Sequence, residues 1–147
     1  ARQMTSVASN AGLSCNALLT DMNEPLAASA GNALEIAETV AFLRGEARQP
    51  RLYEVITGLS AELLWLGGLA DSRVSALRRV EECLDSGRAA ERFAAMVAAQ
   101  GGPADLLDRP EAHLAGAAVV RPVEAGHGGI HRANITAFPF PINELPS

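Results

Sequence analysis

Leu13-Ser-Cys-Asn-Ala-Leu-Leu19 is the stretch that decides the fold class. It is a short apolar run that does not alternate with polar residues, and it lies after Gly12 and before Asp21, which is typical of a buried strand. Helical patterns precede and follow it. A helix, strand, helix order with a non-alternating strand predicts a parallel sheet covered by helices, so we expect an α/β fold.

The chain around this strand is rich in alanine and poor in aromatic residues, which favours helices. A first helix is indicated by Met4, Val7 and Ala8. Apolar spacing and end signals predict further helices over 32–45, over 55–66 up to Gly67-Gly68, from Asp71 or Ser72 to Ser86, and over 89–100. A second strand is predicted over 117–123. The fold is therefore helix-rich with few parallel strands.

Local signals add detail to these helices. Asn32 is a plausible N-cap, with Glu35 three residues on as the other half of a capping box. Trp65 is interpreted as a packing residue, although a ligand platform stays an alternative. Cys15 and Cys83 are far apart in apolar surroundings, so we expect two buried reduced thiols.

Charge and composition exclude several classes of function. The net charge is −5, the pI is near 5.1, and the 12 basic residues are scattered, which argues against nucleic-acid binding. No run approaches the roughly 18 apolar residues of a membrane helix, and the first residues carry no signal-peptide pattern. We expect a cytoplasmic protein. The absence of an initiator Met indicates a fragment.

Titratable groups give weak signals on their own. A zinc site is a minor alternative for His113, His127 and His131 near Glu111 and Glu124, but their spacing matches no closed site, so surface histidines are the better interpretation. The pairs Glu81-Glu82 and Glu54 with Glu62 show no neighbour that would shift a pKa, and we interpret them as surface charge.

The segment from Asp21 to Gly31 is unusual for a connector, because an acidic start and a proline precede several small or apolar residues. Its carbonyls, together with Glu38, could ligate a hard cation. The alternative is a tight loop that closes a strand-helix unit. The residues leave both interpretations open.

A longer run of motifs resembles a known family. Leu18-Leu-Thr-Asp-Met-Asn-Glu-Pro-Leu26 and Ala30-Gly-Asn-Ala-Leu-Glu35 are similar to specific stretches of the thymidine phosphorylase-type pyrimidine-nucleoside phosphorylases. The similarity continues through Pro50-Arg-Leu52, Leu84 to Ala90 and Met96 to Pro103, and covers roughly residues 1 to 125. After Gly129 the chain departs from the family and ends in a proline-rich stretch.

The resemblance implies an enzyme class and an assembly. Members of the family are homodimeric pentosyltransferases that use phosphate to cleave thymidine reversibly to thymine and 2-deoxyribose 1-phosphate, in pyrimidine nucleoside salvage and catabolism. The matching stretch is the middle of the large α/β domain, whereas the phosphate- and base-binding motifs lie upstream. The resemblance thus implies an inactive fragment with no catalytic residue of its own. The alternative is a non-catalytic α/β interaction module or a degenerate remnant.

The resemblance also implies a division of the chain and one ion site. Residues 1–115 belong to the phosphorylase domain, 116–132 to the entry of its carboxy-terminal subdomain, and 133–147 to an extended tail. The family requires no cofactor. Some relatives hold a structural potassium ion through two loop carbonyls and a helix carboxylate, which fall by position on Leu26, Ser29 and Glu38.

Overall fold

The computed structural model of the chain describes residues 2–21, 25–117 and 119–121. The elements in these residues are all helices. They are α1 (Arg2–Asn10), α2 (Asn32–Leu43), α3 (Pro50–Leu66), α4 (Arg73–Asp85), α5 (Arg88–Ala99) and the single turn α6 (Pro110–His113). The helices predicted from apolar spacing are confirmed, with ends within a few residues of the expected positions. The short α6 was not predicted.

The pair of α3 and α4 is the main packing unit, and α2 and α5 pack against it. The buried cluster between these helices consists of one aromatic, two aliphatic and two small residues: Phe42, Ala61, Ala76, Val80 and Leu84. Trp65 packs at its edge, in agreement with its predicted packing role. Small side chains at the α3–α4 contact let the helices approach closely, and Ala76 has no exposed surface at all.

The apolar side chains of these helices do not all face the core. Val80 and Leu84 are buried, but Val74 and Leu63 are 75% and 71% exposed. Apolar side chains surround much of α3, so spacing alone does not identify which side meets α4. The buried residues of α3 are the small Thr57 and Ala61, and Ala61 belongs to the cluster shared with α4.

Two helix starts show how local chemistry sets the boundaries. Ser72 is the N-cap of α4, and it forms reciprocal hydrogen bonds with Ser75. Of the two predicted starts of this helix, Asp71 and Ser72, the structure confirms Ser72. At α2 the prediction was wrong by one residue. Gly31 is the N-cap, with φ 125°, and Asn32 is already helical and provides no cap. A backbone angle in that range favours glycine, which explains the choice of residue.

The strand predicted over Leu13–Leu19 is not formed, and no strand occurs in the described part of the chain. The segment has no regular secondary structure, and Leu13 and Leu19 are 64% and 87% exposed. A strand needs a neighbour to satisfy its backbone groups, whereas a helix satisfies its own. The second strand was predicted over 117–123. Residues 117 and 119–121 form no strand, and residues 118, 122 and 123 lie outside the described residues.

The amino-terminal region has little attachment to the helical core. Helix α1 buries none of its residues. Cys15 is exposed, so the expectation that it is buried was wrong. Cys83 is half-buried, and both thiols are free. The predicted divisions 116–132 and 133–147 lie almost entirely outside the described residues, so these boundaries stay predictions.

Arg48 connects the carboxyl ends of two helices. Its guanidinium donates to the carbonyl of Phe42 at 3.2 Å, to the carbonyl of Leu84 at 3.1 Å and to the carboxylate of Asp85 at 2.6 Å. It also lies 5.9 Å from the ring centre of Phe42 and 5.8 Å from that of Tyr53. A cation at two helix carboxyl ends is favoured by both helix dipoles, so this residue fixes α2 against α4.

Candidate functional site

The loop Pro25–Gly31 is held on α2 by a carboxylate. The two side-chain oxygens of Glu38 accept the backbone N–H groups of Ala28 and Ser29, each at 3.0 Å. Both donors are main-chain groups, so the contact depends on the loop conformation and not on the loop side chains. The contact with Ser29 is made through its N–H and not through the carbonyl that the predicted ion site uses, so that site stays a prediction.

A second carboxylate on the same helix holds the end of the loop. Glu35 Oε1 accepts the N–H of Gly31 at 2.9 Å, and the N–H of Glu35 donates to the carbonyl of Gly31 at 2.8 Å. Glu35 was predicted to reach back to the cap residue, and it does so, to Gly31 and not to Asn32. Two glutamates one turn apart therefore set the path of the loop.

The predicted ion site would need free oxygen ligands at this loop. A carboxylate has about four lone-pair sites, so Glu38 retains acceptor capacity after it binds two N–H groups. Carbonyl oxygens of Leu26 and Ser29 would complete an all-oxygen set of the kind that hard cations prefer. Leu26 lies in the same loop, with its side chain 38% exposed, and would contribute only its main chain.

An open apolar groove of about 640 Å³ lies beside this loop. Its walls come from α2, α3, α4 and the first residues of α5, and its main apolar lining residues are Phe42, Leu43, Leu52, Ile56, Leu63 and Leu64. Two glutamates of the loop site, Glu35 and Glu38, lie at its edge, where backbone amides already bind them. The groove is therefore suited to an apolar occupant. The sequence did not predict it.

One carboxylate interpreted as simple surface charge has a specific environment. Glu62 forms an ion pair with Arg73 and accepts a hydrogen bond from Asn16 Nδ2 at 2.7 Å. These bonds, that of Arg73 foremost, hold the pKa of Glu62 below its ordinary value. The guanidinium of Arg73 also lies 4.0 Å from the ring centre of Trp65. These contacts join α3 and α4 to the segment 13–19, so the role of Glu62 is structural.

The other predicted candidates do not converge. His113 bonds to Asp105 at 2.6 Å, and this contact lowers the pKa of the Asp105 carboxyl. His127, His131 and Glu124 lie outside the described residues. Within the described residues, no three His, Cys, Asp or Glu side chains gather in a way that could hold a metal. Glu54 and Glu82 are exposed, as expected for surface charge.

No helix in the described part of the chain combines the length and apolar character needed to cross a membrane. The search against protein-family models gave no match. Sequence comparison, in contrast, found similar curated proteins.

The relatives are thymidine phosphorylases. The thymidine phosphorylase of Burkholderia cenocepacia (strain HI2424) is 54% identical over 130 residues, which is 88% of this chain and 30% of the relative. Those of Burkholderia orbicola (strain MC0-3) and Burkholderia lata are 53% and 52% identical over the same length. The predicted resemblance is confirmed. The chain spans about 30% of the length of the curated relatives it matches.

Proposed function

We propose that the chain is a segment of a thymidine phosphorylase. The observation that carries the proposal is the 54% identity over 88% of the chain. The enzyme would be a pentosyltransferase that breaks the bond between base and sugar of thymidine and forms a sugar–phosphate bond, giving thymine and 2-deoxyribose 1-phosphate. We place it in cytoplasmic pyrimidine nucleoside metabolism and expect a homodimer.

Within that enzyme, this chain would act as scaffolding. The residues that bind phosphate and base are expected in parts of the enzyme outside the matched segment, since the family motifs for them lie upstream of it. The contacts of Glu35 and Glu38 with the loop 25–31 support such a role, because they hold the loop on α2 through its backbone N–H groups.

We also propose that a potassium ion binds at this loop, through the carbonyls of Leu26 and Ser29 and the carboxylate of Glu38. The ion would supply positive charge that fastens the loop to α2. An ion that binds only the folded state raises the melting temperature. Potassium should therefore stabilise the chain more than an equal concentration of tetramethylammonium chloride, and Glu38→Gln should abolish the difference. Equal melting temperatures in the two salts would contradict the ion site.

The proposed activity is tested by phosphate-dependent cleavage of thymidine. The purified chain alone should be inactive. Mixed with the separately expressed remainder of the Burkholderia cenocepacia thymidine phosphorylase, it should restore turnover that requires both components. Turnover by the chain alone would contradict the scaffolding role. Inactivity of the mixture, with both components folded by circular dichroism, would favour a non-catalytic module.

A further inference from the structure

Two polar contacts attach the segment that precedes the loop 25–31 to one face of α3. The side-chain amide of Asn16 donates to Glu62 Oε2 at 2.7 Å, and the guanidinium of Arg51 donates to the carbonyl of Asp21. Arg51 and Glu62 are about three helical turns apart, so they lie on the same face of α3 and about 16 Å from each other along its axis. The segment is thus anchored near both of its ends.

The length of the segment matches the distance between these two anchors. From Asn16 to Asp21 an extended chain spans about 17 Å, which is close to the separation of the anchors along α3. Side-chain exposure follows the alternation of an extended chain, since Leu18, two residues from Asn16, is 47% exposed, whereas Leu19 is 87% exposed. The side of the segment that carries Asn16 is therefore the side nearer α3.

The anchor at Glu62 is itself fixed on its own helix pair. Its side chain is only 17% exposed and forms an ion pair with Arg73, whose guanidinium lies 4.0 Å from the ring centre of Trp65. A carboxylate that is already ordered loses little further freedom when Asn16 binds it. The contact with Asn16 is therefore made to a preformed acceptor.

The backbone edge of the segment, in contrast, is open. Within the described residues, no backbone N–H from 14 to 20 donates a hydrogen bond. Unpaired backbone groups along an extended segment are a template for pairing with another strand. We propose that Arg51 and Glu62 are positioning residues that hold 16–21 extended along α3, so that a neighbouring extended segment of the enzyme can pair with it. The pairing rests on the proposed function, whereas the anchoring involves this chain alone.

Backbone order parameters, measured by NMR relaxation on the full chain, test the anchoring. In the parent chain, amides of 17–20 should have order parameters close to those of α3, about 0.85, although they donate no hydrogen bond. Asn16→Ala/Arg51→Ala should lower these values below about 0.6 and leave those of α3 unchanged. Arg51→Lys, which keeps a donor for the Asp21 carbonyl, should behave like the parent chain. Glu54→Ala, at an exposed position of α3, is the matched control and should have no effect.

Two results would contradict the anchoring. The first is a set of order parameters below about 0.6 for 17–20 in the parent chain, and the second is equal values in the parent chain and the double variant.

The pairing is measured by the affinity of the chain for the separately expressed remainder of the Burkholderia cenocepacia thymidine phosphorylase. The double variant should bind about tenfold more weakly, because its segment must first be ordered. Equal affinities would show that the anchors do not prepare the segment for pairing. A parent chain that is rigid at 17–20 but does not bind the remainder would contradict the proposed function and the pairing, and would leave the anchoring confirmed.

Discussion

Helices α2 to α5 and the segment from Gly12 to Asp21 have similar apolar content but differ in the structure they form. The helices satisfy their backbone hydrogen bonds internally and share a buried cluster around Ala76 and Val80. The segment holds Leu13 and Leu19 in solvent and forms no ladder. This chain therefore contains helices that satisfy their own backbone groups and a strand-like region that depends on neighbours.

The largest expected effect comes from the helical core. Val80→Ala removes a buried side chain from α4 and should lower the free energy of unfolding by about 2.5 kcal/mol, through lost apolar contact and a residual cavity. Val74→Ala on the same helix is the matched control, since Val74 is exposed and the control corrects for the higher helix propensity of alanine. Urea unfolding followed by circular dichroism measures both. Equal effects would show that α4 does not pack as described.

A smaller effect is expected where the helices are joined by polar contacts. Arg48→Ala removes the donor to Phe42, Leu84 and Asp85 and should lower the free energy of unfolding by about 1.5 kcal/mol. Arg48→Lys keeps the charge but cannot reproduce the fork of donors, so it should recover only part of the loss. Full recovery by lysine would mean that charge alone, and not the fixed geometry, stabilises the contact.

The smallest effect concerns the contact between the two regions. Glu62 has a folded-state pKa below its ordinary value because Arg73 and Asn16 bond to the carboxylate. Its contribution is therefore complete above the unfolded pKa of about 4.3 and is lost as the pH falls through the lower folded value. Glu62→Gln should remove this part of the acid sensitivity. If the stability of the variant fell as steeply on acidification as that of the parent chain, Glu62 would not be a source of the acid sensitivity.

Sequence reasoning recovered the parts of the fold that are determined locally. Apolar spacing, the cap at Ser72 and the glycines after α3 located the helices, because those signals act within a few residues. It could not tell which side of α3 faces α4, since that depends on the small residues of a distant segment. The strand at Leu13–Leu19 was predicted from composition, but its formation depends on a partner strand.

The ion site at Leu26, Ser29 and Glu38 was expected from the resemblance and stays a prediction. What the structure shows there is a bond from the N–H of Ser29 to the carboxylate of Glu38. The groove and the pair of Glu62 with Arg73 were missed, because they depend on contacts between separate helices. No short motif marks either of them.

Hydrogen exchange on the chain, alone and with the remainder of the Burkholderia cenocepacia thymidine phosphorylase, would show whether Leu13–Leu19 depends on a neighbouring strand. Alone, we expect amides of α3 and α4 to be protected and those of Leu13–Leu19 to exchange freely. When the remainder is added, Leu13–Leu19 should become protected as it gains a partner strand. Protection of Leu13–Leu19 in the isolated chain, or free exchange in a complex that has formed, would contradict the account.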